Sequence, residues 1–108
     1  MSDLYSELTI KTGELDTCIK QLRKTGTAYA EAERAYKVLL RREALKLRDE
    51  GMAVGMIDKV ILGIPSVAEA RFKRDIAEVT YKANQDAIQS IKLQLRLLDN
   101  QIQREWQG

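Results

Sequence analysis

The chain has 108 residues, with 18 Lys and Arg against 16 Asp and Glu, one cysteine, one proline and no histidine. Its length is one domain's worth of chain, and 44% hydrophobic with 31% charged residues argues against both intrinsic disorder and a membrane span. One cysteine forms no internal disulfide, and the absent histidine removes the commonest general base and metal ligand.

The first residues, MSDLYSELTI, carry acids where a signal peptide needs bases, and no apolar run approaches the ~20 residues of a bilayer span. The expected location is the cytoplasm of the cell that makes the protein. A net charge of +2 announces no polyanionic partner, so nucleic-acid binding would need a local patch.

The first predicted helix covers about residues 3–50. Leu4, Leu8, Lys11, Leu15, Cys18, Leu22, Thr25, Tyr29, Glu33, Tyr36, Leu40, Ala44 and Leu47 recur at spacings of three and four, one stripe of an amphipathic helix. Cys18 lies on that stripe, which marks it as a packed thiol rather than a nucleophile. A connector follows from Gly51 to Pro65. Within it Val54, Ile57, Val60, Ile61 and Ile64 have helical spacing, which predicts a short helix over about residues 53–62.

The third predicted helix covers about residues 66–106. Ser66 followed by Glu69 reads as a capping box, with Pro65 closing off whatever precedes it. Phe72, Ile76, Val79, Ala83, Ala87, Ile91, Leu95, Leu98 and Ile102 form its predicted stripe. Acid-then-base pairs at i,i+4 (Glu7/Lys11, Asp16/Lys20, Glu33/Lys37, Glu69/Lys73, Glu78/Lys82) mark the solvated faces of both long helices.

Together these elements predict an all-α fold, a single domain over residues 1–108. Two long antiparallel helices form a hairpin around a short connecting helix. Leu93 and Leu97 fall off the stripe, so KLQLRLL is apolar around a wide arc that one partner helix cannot cover. Self-association, at least as a dimer, is the expected remedy.

Catalytic chemistry finds little foothold. No acidic cluster suits a metal, no Gly-rich loop follows a strand, and no catalytic residue, metal or cofactor is expected. One alternative is a helix-turn-helix module in LRDEGMAVGMIDKVILGIPSVAEAR. Ser66, Glu69, Arg71 and Lys73 would then enter a major groove, while Arg41, Arg42, Arg48 and Arg74 meet phosphates. The length of the supposed recognition helix, and Glu69, Asp75 and Asp58, argue against it. A helical adaptor for a host protein is a further alternative.

The centre of the hairpin has a different composition. Setting Leu47 against Ala68 puts Tyr36 opposite Val79 and Tyr29 near Gln85 and Asp86. KTGTAYAEAE then faces YKANQDA, with small residues on both sides. Gly26 costs a helix about 1 kcal/mol relative to alanine, a cost that a hollow or a close helix crossing would have to repay. Arg23, Lys24, Tyr29, Glu33, Tyr36, Tyr81, Lys82 and Asn84 surround it and form the candidate ligand site. Aromatic faces with cations and amides suit a planar base carrying phosphates.

KTGTAYAEAERAYK, LRDEGMAVGMIDKVILG and YKANQDAIQSIKLQLRLLDNQIQREW resemble a family of short proteins encoded by phages and prophages of Gram-positive bacteria. The resemblance covers nearly the whole chain, and Lys24-Thr25-Gly26 and Arg104-Glu105-Trp106 are its most recognisable parts. Among such proteins the chain looks like the Sequestin type, sponges for nucleotide immune signals made by TIR-domain enzymes. The resemblance implies a ligand related to cyclic ADP-ribose, a homo-oligomer, and binding without turnover in the host cytoplasm.

Overall fold

The computed structural model describes residues 2–107. Three α-helices follow in order: α1 (Ser2–Asp49), α2 (Val54–Val60) and α3 (Pro65–Gln107), with a 3₁₀ turn, Ile61–Gly63, between the last two. The chain is all-helical, with two long helices and a short one and no strand among the described residues. None of these helices is long and apolar enough to cross a membrane.

Two compact units divide the chain. One comprises residues up to Thr25 together with those from Tyr81 onward; the other is Gly26–Thr80.

In the second unit α1 ends at a glycine. Gly51 has φ of +92°, a left-handed conformation that only a residue without Cβ adopts freely, and its N–H donates to the Arg48 carbonyl at 3.0 Å. The chain then turns into α2, and the core forms around Tyr36, Ile57, Ile61 and Val67. Leu39, Leu40, Ala44, Leu47, Met52, Ile64 and Ala70 pack on it. Val67 is fully buried.

The connector decides the register of this unit. Ala44, Leu45 and Arg48 lie beside Val54, Ile57 and Asp58 of α2, whereas Ala32, Ala35 and Leu39 lie beside Ser66, Glu69 and Ala70 of α3. Because α2 covers the last turns of α1, α3 meets α1 further back than the sequence predicts. Tyr36 sits against Arg74 rather than Val79, and Tyr29 against Glu78.

The start of α3 also differs from expectation. Pro65 is its first residue, so Ile64, with extended backbone (φ −65°, ψ 126°), holds the cap position and Ser66 lies inside the first turn. Proline at the first helical position brings a suitable φ and lacks an N–H that would find no partner there. It therefore displaces the serine cap.

The α1 stripe is the seam that its spacing predicts. In the second unit Tyr36 is buried and Tyr29, Glu33, Leu40, Ala44 and Leu47 are half-buried. The first part of the α3 stripe is not. Phe72, Ile76 and Val79 are 60, 52 and 64% exposed, and the inward positions are Val67, Ala70, Arg74, Ala77 and Glu78. The reason lies on α1, which offers Tyr29, Glu33 and Tyr36 at this level. An arginine and a glutamate answer those polar groups, and a phenylalanine or isoleucine would not.

In the first unit the initial turns of α1 run antiparallel to the last turns of α3. Leu4, Leu8, Lys11, Leu15, Cys18, Leu22 and Thr25 are half-buried against Ile88, Ile91 and Ile102, which are buried, and Leu95 and Leu98. Trp106 Nε1 donates to the Tyr5 hydroxyl at 2.8 Å. Ala83, expected in the seam, is exposed, and Tyr81, Asn84 and Ala87 take the inward side. Leu93 and Leu97 are 51 and 58% exposed.

Candidate functional site

The eight residues expected at the hairpin centre fall into both units. Tyr29, Glu33 and Tyr36 belong to the second, and Arg23, Lys24, Tyr81, Lys82 and Asn84 to the first.

In the second unit the three α1 residues join a polar cluster with two α3 residues that the pattern reading left out, Arg74 and Glu78. The Tyr29 hydroxyl donates to Glu78 Oε2 at 3.2 Å. The Glu33 carboxylate lies between Arg74, at 3.5 Å, and Lys37, at 3.6 Å. The Arg74 guanidinium sits 4.8 Å from the centre of the Tyr36 ring, and its Nε donates to Asp75 at 2.7 Å. Such a cation over an aromatic face is attractive by about 0.5–2 kcal/mol in general, more when shielded from water.

Charge in this cluster is spent internally. Partial burial, then the Glu33 and Glu78 carboxylates, raise the Tyr29 pKa above its ordinary value of 10.0, so the hydroxyl stays protonated at neutral pH. The hydrogen bond to Asp75 raises the Arg74 pKa and outweighs the opposing effect of burial, keeping the guanidinium charged. Tyr36 is only 8% exposed and carries Arg74 over its ring, so it serves the core and offers no free face for a base. With the carboxylates of Glu33, Glu78 and Asp75 against the cations of Arg74 and Lys37, the cluster also disfavours a phosphate.

A signal for Arg74 and Glu78 exists in the sequence. Arg74, Glu78 and Tyr81 recur at four and three, the same period as the apolar stripe but about 200° round the helix, on nearly the opposite face. Hydrophobicity gave priority to Phe72, Ile76 and Val79.

In the first unit Asn84 Nδ2 donates to the Cys18 carbonyl at 3.0 Å, and Thr25 Oγ1 donates to Asn84 Oδ1 at 2.9 Å. A polar side chain held this way inside a helix seam fixes the register between helices. Arg23, Lys24 and Lys82 are exposed and Tyr81 is half-buried.

The second unit also contains a groove, which the pattern reading missed, between α1 and the segment formed by α2 and the 3₁₀ turn. Its larger part encloses about 570 Å³, with Leu40, Ala44, Ile57 and Ile61 as apolar lining and Lys37, Arg41 and Asp58 as charged lining. An adjoining part of about 280 Å³ continues along Leu45 and Val54 to Arg48. No single-helix pattern reveals such a groove, because it exists only once α2 is laid against α1.

Comparison with protein-family models, curated proteins and solved structures gives no match to this chain.

Proposed function

We propose that this is a binding protein that associates with itself and sequesters a small nucleotide signal of the cyclic ADP-ribose kind without cleaving it, as a phage counter-defence protein in the host cytoplasm. The observation that carries the reading is the amount of ordered apolar surface the helices leave open. Ile10, Leu93 and Leu97 in the first unit and Phe72, Ile76 and Val79 in the second are each more than half exposed. Rows of large apolar groups on rigid helices are characteristic of association and binding surfaces. The resemblance to the Sequestin type supplies the ligand class. The engagement of Tyr29 by Glu78, and of Arg74 by Glu33 and Asp75, supports binding over turnover, because these groups are occupied by neighbours rather than poised for proton transfer.

The test is direct. The protein is incubated with cyclic ADP-ribose isomers, freed of unbound ligand and heat-denatured, and the supernatant is analysed. Intact nucleotide is expected. A cleaved product points to an enzyme, and recovery of nothing from any isomer overturns the reading. A gel shift on random duplex DNA at low salt addresses the helix-turn-helix alternative. That alternative has lost one of its phosphate contacts, since Arg74 is occupied by Glu33, Asp75 and Tyr36.

A further inference from the structure

The cations of the second unit are in two different states. Arg74 is consumed by its neighbours, and Lys37 shares Glu33 with it. Arg41 and Arg48 are exposed and make no ion pair among the described residues. Both line the α1–α2 groove, on the same side as Lys37, and only Asp58 opposes them there.

We infer that this groove, rather than the centre of the helix pair, is where the nucleotide binds. The inference rests on the sequestration reading and gives it a site. Each part of the groove matches one part of such a ligand. Half-buried Leu40 and Ala44 and exposed Leu62 offer an apolar surface to the flat face of a base. Arg41, which no carboxylate holds among the described residues, offers its guanidinium to a phosphate, and Lys37, on Glu33 at 3.6 Å, stands one helical turn, about 6 Å, away. Asp58, an acceptor on the opposite wall, suits ribose hydroxyls or an exocyclic amine and disfavours a second anionic group beside it. A volume of about 570 Å³ lies within the range of small-molecule sites, ~300–1,000 Å³. The tyrosine cluster offers the reverse: a buried ring, an arginine already paired and three carboxylates.

Calorimetric titration of the full chain with cyclic ADP-ribose isomers tests this with three variants, each at an exposed position and checked for an unchanged melting temperature. Arg41→Glu should weaken binding about tenfold or more, through loss of a charge-assisted contact and gain of repulsion. Asp58→Asn should tighten it about threefold by removing a like charge near the phosphates. Arg23→Ala, at the alternative site, should leave affinity unchanged. Wild-type binding with Arg41→Glu unaffected, or weakened only by Arg23→Ala, overturns the groove while sequestration stands. Absence of binding by the wild type overturns the functional reading itself, and the wild-type titration alone shows it.

Discussion

Tyr29 is the residue whose chemistry the structure changes most. Its hydroxyl hydrogen is shared with Glu78, and partial burial with two carboxylates raises its pKa above 10.0. A tyrosine whose folded pKa exceeds its unfolded value contributes stability that is complete below the unfolded value and disappears as pH rises through the folded one. Stability should therefore decline above about pH 10 as this hydroxyl ionises beside Glu33 and Glu78. Tyr29→Phe should be less stable than wild type at pH 7 and lose less of its stability between pH 9 and 11. Urea melts at a series of pH values measure both. Parallel pH curves for the two proteins would show that the hydroxyl has no such role. Arg74 acts at the same scale. Its loss leaves Glu33 with Lys37 alone and uncovers Tyr36, so Arg74→Ala should melt lower than Lys37→Ala.

Among the elements, α1 was legible and α3 only in part. The α1 stripe from Leu4 to Leu47 is the inward face throughout, because its apolar period and its packing coincide. Along α3 the two coincide from Ala87 onward and separate before it. Phe72, Ile76 and Val79 have the right period on the wrong face, since the seam there is built from alanines and a polar cluster. The acid–base pairs Asp16–Lys20 and Glu33–Lys37 form as spacing predicts, while Lys11 turns instead to Glu14 at 3.1 Å. The register error has the same origin. Sequence places α2 correctly as a short helix but not the depth to which it underlies α1, and that depth also creates the groove. The seam assignment is testable by one pair of equivalent truncations. Val67→Ala, at a fully buried site, should cost about 2 kcal/mol. Val79→Ala, on the predicted but exposed stripe, should change stability by no more than about 0.5 kcal/mol. Equal costs in denaturant melts would restore the stripe to the seam.

For the molecule as a whole, the proposed self-association rests on the open apolar faces. Each unit has its own: Leu93 and Leu97 in the first, Phe72 and Ile76 in the second. An aspartate buried at an interface is strongly unfavourable, so the variant that separates the subunits identifies the face that joins them. Leu97→Asp should shift the light-scattering mass to a smaller species, as the wide apolar arc of KLQLRLL predicts. Ile76→Asp with an unchanged mass would leave the second face free for another partner. A wild-type monomer at micromolar concentration would remove self-association altogether.

The division of the chain has a consequence for how the protein reaches its native state. Gly26–Thr80 is one continuous segment whose two helical arms are closed by a short connector, whereas the other unit joins the chain's early residues to its late ones. Bringing distant segments together costs loop-closure entropy, and contacts of high sequence separation form slowly. The second unit is therefore expected to nucleate first, its ordering shortening the effective loop that the first must close. Cys18, half-buried in the first unit, should remain open to thiol reagents after the amides around Ile61 and Val67 are already protected. In that order folding would proceed from the turn outward, with the first unit forming last.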